Sequence, residues 1–519
     1  MAPDIASRTV YTMLAERSAS GPEAFALLAP GRDALSFGAL MRQIDELRGR
    51  LNGLGLGRGD RIVVPAPRGP ETATAVLAVC SCATCIPMHP SATPSEWRST
   101  LLAGRAKAVL APKPVDPAIH NIARELGVSW LQGSTTKNGP AGRFSIEVAP
   151  AASADHPGLP EPGDIALILR TSGTTSRPKL VPAEHRHLVA RIEKVIRLQA
   201  LTSADRCLNL MPLCYGHGLL SGTMSSLAAG GSVICPPDVD ADTFLRCLRE
   251  FRPTWYTGGP SYHGMIAEWL HEQPDTGRSL RFARSSAAPL PAQVRERLER
   301  MLGIRLLEGY GTSETGTITA NPRDGRIKSG TVGISGDDDV VVADESCAPL
   351  PPGEVGEVLV RGPTVFTGYE NDPEANRESF HDGWFRTGDF GFLDEEGYLT
   401  LTGRATEIIN RGGEKVSPSE VDAALLEHPG VAEAATFPIP HATLGEEVAA
   451  AVKLRAEGAV SERELQRFLL QRLVPFKVPR RIVFVAELPK GPTGKPLRQT
   501  LAERLRTNAA LRGNVNRRP

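Results

Sequence analysis

Net charge is the first thing this sequence lacks. Its 59 Lys and Arg are balanced by 59 Asp and Glu over 519 residues, and a chain without a basic excess offers no electrostatic footprint to nucleic acid or an anionic membrane surface. Long hydrophobic runs are missing too. The most apolar stretch, AVLAVCSCATCIPM (75–88), is too short and too interrupted to span a bilayer, and reads as a buried helix running into a strand. The opening MAPDIASRTV has no basic segment followed by an apolar core, so no secretory signal is expected and a cytoplasmic location is. Cysteine is sparse, eight in the chain, which in that setting argues for reduced thiols rather than a disulfide frame. Cys80, Cys82 and Cys85 cluster, but no second Cys/His pair stands at zinc-site spacing, and small buried side chains account for them better. No internal repeat is visible.

What is there is α/β winding in a chain too long for one core. FGALMRQIDELRGRLNGLGL (37–56) has the period of an amphipathic helix, RIVVPA (61–66) and KAVLAP (107–112) that of buried strands. Residues 133–163, rich in Gly, Pro, Ser and Ala, predict a surface loop. From 331 to 402 the texture becomes all-β, short strands between Gly turns, and after 404 a smaller α/β pattern begins. These shifts predict an N-terminal domain over 1–403, a hinge at 404–407 and a small C-terminal domain over 408–519, with a disordered tail after about residue 505.

Five polar segments resist a packing explanation. TSGTTSRPK (171–179) follows the apolar strand DIALILR and offers backbone N–H groups, hydroxyls and positive charge, the outline of a phosphate cradle. With one Gly, and its Lys after a Pro, it is not a P-loop. EGYGTSETG (308–316) sets a ring between glycines and follows it with hydroxyls and Glu314, which suits a hard cation. Asp389 lies in a Gly-flanked turn and Arg404 at the domain boundary; NRGGEKVSPSEVD (410–422) is a Gly-Gly turn before a helix with Ser417 as N-cap; GPTGKPLR (491–498) carries Lys495 on a loop.

In this order, TSGTTSRPK, MPLCYGHG, GYGTSE, TGD, INRGGEKVSP and PTGKPLR resemble the ATP-dependent adenylate-forming superfamily, most closely its acyl-CoA synthetase branch, across residues 10 to 500. The resemblance implies an α/β fold: a large N-terminal domain of two α/β sheet subdomains plus a β-barrel-like subdomain, and a small mobile α+β C-terminal domain. It implies a carboxylic acid activated with ATP and Mg²⁺ as acyl-AMP, then passed to coenzyme A. By the same resemblance Thr171, Ser172, Gly173, Thr174, Thr175 and Lys179 hold the β- and γ-phosphates. Tyr310 stacks on adenine, with Ala287, Ala288, Pro289, Gly309 and Gly311 also binding nucleotide. Ser313 contacts the α-phosphate, Glu314 ligates Mg²⁺, Asp389 takes the ribose hydroxyls and Arg404 reaches ribose or phosphates. Lys495 bridges carboxylate and α-phosphate, then withdraws as the C-terminal domain turns at the hinge and Gly412 and Gly413 come to line the pantetheine tunnel. Monomers and homodimers are both usual in the family.

The sequence departs from the family in three places. Ser176 replaces a Gly in the phosphate loop, Thr406 replaces the usual hinge Asp or Lys, and Thr317 stands where oxalate–CoA ligases carry a His. His217, Gly258, Gly259 and Ser285 are the acyl-pocket candidates. Their neighbours are mainly small, which predicts a roomy, lightly charged pocket and a bulky, largely apolar or aromatic acid. An amine or carrier-protein thiol as acceptor, an enzyme catalysing mainly one half-reaction, and a non-catalytic nucleotide sensor are the alternatives.

Overall fold

A computed structural model of the chain describes residues 7–135, 139–146, 153–171, 179–270, 279–336, 339–404, 407–412, 414–456, 460–491 and 495–507. Of the expected site residues, Ser172, Gly173, Thr174, Thr175, Thr406 and Gly413 lie outside the described residues, as does Ser176.

Strands that are apolar on both faces need helices on both sides. The first 320 residues meet that need twice. A seven-stranded sheet has the order Ser145–Ile146, Ser129–Ser134, Ala108–Ala111, Arg61–Pro65, Thr84–Met88, Ile165–Arg170, Leu180–Glu184, parallel except at its two edge pairs. An eight-stranded sheet has the order Gly316–Ala320, Arg305–Thr312, Phe282–Ser285, Trp255–Gly258, Arg206–Asn209, Ser232–Ile234, Phe25–Leu28, Leu35–Ser36, again antiparallel only at the edges. One core joins them: Ile62, Cys85 and Leu167 from the first sheet and Cys207, Trp255 and Phe282 from the second share it with helices Phe37–Gly53, Pro70–Cys80 and His185–Leu198. The outer faces have their own cores, under Phe244, Ile266 and Leu298 on one side and Trp97, Leu101 and Ile119 on the other. The helix Phe37–Gly53 buries Leu40, Ile44, Leu47 and Leu51, one face at three- and four-residue spacing, and Ser36 caps it by accepting the Ala39 N–H at 3.3 Å. All eight cysteines are free, and burial pushes the Cys82 thiol up to about 12, so it behaves as a small apolar side chain.

Part of the segment expected as a surface loop is built in. Ala141, Phe144 and Ile146 are buried, Ser145–Ile146 pairs with Ser129–Ser134, and Gln43 Nε2 donates to the Phe144 carbonyl at 2.9 Å. Three apolar anchors within a Gly/Pro-rich stretch outweigh its composition.

A third sheet is antiparallel and five-stranded, built from Asp339–Ala343, Gly356–Arg361, Trp384–Leu393, Phe380–His381 and Leu399–Arg404. The fourth follows at once in Ile409–Arg411 and also has five strands. It packs against helices Pro418–Leu426, Glu462–Leu469 and Arg498–Thr507 with cores of its own. The chain is thus mixed α/β, with a large N-terminal and a small C-terminal domain. Ser417 stands at the N-cap of Pro418–Leu426 but makes no capping bond; its hydroxyl donates to the Thr402 carbonyl, tying that helix to the strand before the boundary. The last described helix continues through Thr507, past the start of the expected tail. Among the described residues no helix is long and apolar enough to cross a membrane.

Candidate active site

The ends of the phosphate-loop segment are pinned together. Strands Ile165–Arg170 and Leu180–Glu184 form an antiparallel hairpin. Beyond it, the Thr171 N–H donates to the Lys179 carbonyl and the Lys179 N–H donates to Thr171 Oγ1, both at 3.1 Å. Lys179 Nζ stands 4.5 Å from the ring centroid of Tyr369, whose hydroxyl donates to Glu314 Oε1 at 2.8 Å. Burial, with the Glu314 charge beside it, pushes the Tyr369 hydroxyl above its ordinary range, so it stays protonated as a donor.

Glu314 sits in the tight turn between Arg305–Thr312 and Gly316–Ala320. At Gly311 this hairpin closes so far that a Cβ would lie 2.0 Å from the Gly316 carbonyl oxygen, which excludes every other residue there. On the same hairpin Tyr310 donates to Asp389 Oδ2 at 2.6 Å, and Asp389 Oδ1 pairs with Arg404 Nε at 3.0 Å across adjacent strands. Burial pushes the Asp389 carboxyl up, opposed by Arg404, by the Tyr310 hydrogen bond and by the charge of Lys495. Lys495 Nζ itself is bonded to Glu407 Oε1 at 2.7 Å. Ser286 Oγ donates to the Gly309 carbonyl at 2.7 Å and so fixes the start of Ala287–Ala288–Pro289, where Ala287 carries a φ of 81°. Few residues other than Gly adopt that conformation, and it concentrates where ligands bind. Ser313 adjoins Glu314, and its carbonyl accepts from Arg191. Gly412 has a φ of 61°, and a Cβ there would come within 2.8 Å of Leu444 Cδ2, so its nearest neighbour is its own domain.

Two site supports carry no motif. Arg191 and Lys194, on the helix His185–Leu198, are each only 1% exposed. Arg191 Nε donates to the Thr364 carbonyl at 2.7 Å, its Nη1 to that of Ser313 at 3.3 Å and its Nη2 to that of Glu314. Lys194 Nζ donates to the Ile318 carbonyl at 2.6 Å. Arg191 therefore clamps the Glu314 turn from behind, and Lys194 holds the strand that follows it. The only signal in the sequence is the period of HRHLVARIEKVIRL, in which both fall on the buried face.

The acyl-pocket candidates divide. His217 opens a wide-turned helix, His217–Met224, and its Nε2 lies 2.6 Å from Thr257 Oγ1. Burial holds its imidazole well below its ordinary pKa, aided by Arg284 nearby. Gly258 and Ser285 are cross-strand partners, and a Cβ on Gly258 would meet Tyr262 and His263, so the side-chain positions of this pair face the outer helix Pro260–Trp269. Gly259 caps that helix. Arg284 lies one residue before Ser285 on its strand and faces the opposite way, with Phe282, toward the inner core. A buried guanidinium thus lies near His217, on a side where the small neighbouring residues suggested no charge.

Among the described residues no group of three or more His, Cys, Asp or Glu stands together as a metal cage. A lone carboxylate such as Glu314 suits Mg²⁺, which keeps water and substrate phosphate as its other ligands.

Two doubly wound sheets, an antiparallel sheet carrying Asp389 and Arg404, and a small domain that brings its Lys495 beside them define the class: an adenylate-forming, ATP-dependent acid–thiol ligase. The chain belongs to the AMP-binding enzyme family, whose profile matches residues 14–370, with the AMP-binding enzyme C-terminal domain over 420–495. It is 35% identical to an oxalate–CoA ligase of Arabidopsis thaliana over 96% of this chain and 98% of that one. It is 34% identical to a sulfoacetate–CoA ligase of Cupriavidus necator, over 95% and 97%. Among solved structures, ATP-bound MatB from Rhodopseudomonas palustris superposes with a TM-score of 0.87 at 29% identity, over 96% of this chain and 99% of that one.

Proposed function

We propose that this enzyme joins a carboxylic acid to coenzyme A through an acyl-AMP intermediate. A carboxylate attacking a phosphate brings two anions together, so the site must supply positive charge where negative charge builds. Lys179, at the neck of the 171–179 loop, meets the β- and γ-phosphates and eases the departure of pyrophosphate. Tyr310 offers its face to adenine while its hydroxyl holds Asp389, and Asp389 accepts from the ribose hydroxyls. Arg404, on the neighbouring strand, reaches ribose or phosphate, and Ser313 meets the α-phosphate. A magnesium ion at Glu314 would neutralise phosphate charge. The observation that carries this reading is the meeting of Tyr310, Asp389 and Arg404 with Lys495 at the domain boundary.

In the second half-reaction a thiol displaces AMP. We propose that the chain turns at 404–407, taking Lys495 away and bringing Gly412 and Gly413 to the tunnel. Relatives include ligases named for oxalate and sulfoacetate, acids that both bear a second acidic group, beside others named for feruloyl and long-chain fatty acyl groups; what favours a charged acid in this chain is the buried Arg284 guanidinium. An apolar acyl chain would leave the Arg284 guanidinium without a counter-charge.

The test is pyrophosphate release across a panel of carboxylic acids, with and without coenzyme A, the thioester followed by mass. One class of acid is expected to give both products. Pyrophosphate without thioester would move the acceptor to an amine or a carrier-protein thiol. A second prediction concerns pH. Because burial raises the Asp389 carboxyl, it is expected to protonate, and AMP affinity to fall, at a higher pH than the ordinary Asp value of about 3.9. Calorimetric titration of AMP at descending pH checks this, and D389N is expected to bind weakly with a flat profile.

A further inference from the structure

Arg284 is 2% exposed. Its Nη2 donates to Thr317 Oγ1 at 2.9 Å, but Nε and Nη1 are buried with no partner. Among the described residues no carboxylate pairs with it, and burial lowers its pKa only to about 10, so it stays a cation. Arg191 and Lys194, the other deeply buried cations, are held by backbone carbonyls; Arg284 has one hydroxyl. A buried charge with unmade hydrogen bonds is costly to the fold, and its persistence calls for a counter-ion from outside the chain. A second orphan lies beside it. Thr257 is the cross-strand partner of Arg284, and its hydroxyl holds His217 Nε2, leaving His217 Nδ1 buried without a partner. In the tautomer in which Thr257 donates to Nε2, Nδ1 carries the proton and is a donor.

These orphans lie where a ligand of this fold lies. Thr257 and Arg284 are near the C-terminal ends of parallel strands, the end at which open α/β sheets bind ligands. Arg284 Nη2 is 3.1 Å from where a Cβ on Gly309 would stand, immediately before Tyr310, so the guanidinium lies just behind the nucleotide-facing hairpin. We infer that Arg284, with His217 and Thr317 beside it, binds a second oxyanion on the acid substrate. The acid is then a small one, carrying another carboxylate or a sulfonate a few bonds from the carboxylate that is activated. The catalytic meaning of this site rests on the acid–CoA ligase reading; the anion site itself does not.

The experiment has two readouts. In ATP–pyrophosphate exchange, two- to four-carbon dicarboxylates and sulfonated acetate are compared with monocarboxylates of equal length and with benzoate. The doubly anionic acids are expected to exceed the others in kcat/KM by about 100-fold, and R284M is expected to collapse that ratio mainly through KM. In thermal unfolding, the same diacids are expected to raise the Tm of the wild type and not of R284M. Unliganded R284M is expected to melt at or above the wild type, since an apolar side chain replaces an unpaired cation, so a lost response is not misfolding. Diacids that neither shift the wild-type Tm nor outperform monoacids overturn the anion site. A Tm shift that needs Arg284, with no acid releasing pyrophosphate, leaves the anion site standing and removes the ligase reading instead.

Discussion

Replacing Lys495 by Ala is expected to lower pyrophosphate release about 1,000-fold, the scale for removing one preorganised charge from a developing anion. The same variant is expected to convert chemically prepared acyl-AMP to thioester at close to the wild-type rate, because in the proposed mechanism the lysine serves only while carboxylate and α-phosphate are joined. The geometry says why stability should survive. Lys495 is 41% exposed and pairs with Glu407 at 2.7 Å, and exposed pairs of this kind are worth no more than about 1 kcal/mol. Burial raises the Glu407 carboxyl, and Lys495 and Arg498 together overcome it and hold it below the ordinary range. Without Lys495, Arg498 still stands 3.4 Å from the other Glu407 oxygen, so the carboxylate is not stranded. K495R is expected not to rescue: a planar fork cannot take the place of a compact charge on a flexible stem. Stopped-flow comparison of the two half-reactions decides the point. Equal losses in both would mean that Lys495 holds the domain boundary together rather than serving the adenylation step.

Some features of the backbone were legible in the sequence. Gly311 was readable because a closed hairpin tolerates only Gly, and Thr171 and Lys179 because a polar run bounds the loop they pin; the two segments meet through Tyr369, which lies against Lys179 and donates to Glu314. The buried run at 75–88 was legible for a simpler reason: its apolar length matches one helix and one strand, Pro70–Cys80 and Thr84–Met88. Arg191, Lys194 and Arg284 were not. Periodicity says which face of an element is buried, never what that face meets, and their partners are carbonyls or a hydroxyl supplied by residues 33 to 173 positions away. A cation in an amphipathic pattern reads as solvated until the packed neighbour is known. The same gap explains Ser285 and Gly258. Small residues near a predicted site suggested space for an acyl group, but their side-chain positions face the outer helix. The charge behind Gly309 belongs to the neighbour that looked least like part of a pocket.

The clamp behind Glu314 gives the second large effect. R191M is expected to destabilise the protein by about 3–5 kcal/mol, the cost of leaving buried polar partners without their charge-assisted donor. Thr364, Ser313 and Glu314 would lose the donor their carbonyls share, and a methionine of similar length offers them nothing. Denaturant titration measures that loss, but destabilisation alone would not separate a structural role from a positioning one. Two further measurements do. R191K keeps a charge that can reach one carbonyl at a time, and is expected to recover part of the stability but little of the activity, because the turn carrying Ser313 and Glu314 is held by a planar fork spanning several carbonyls at once. G316A attacks the clamp from the other side. Gly316 has a φ of 68°, and a Cβ there would lie 2.8 Å from Arg191 Cγ and Cδ, so the substitution displaces the guanidinium without removing it. If Arg191 positions Glu314, both variants are expected to weaken the magnesium dependence of pyrophosphate release, with a raised half-saturating Mg²⁺ concentration in the fraction that remains folded. If the clamp serves only the fold, that concentration stays at the wild-type value while the melting temperature falls. The positioning role stands or falls on that difference, since a turn held from behind by one side chain can be loosened without touching any group that faces the substrate.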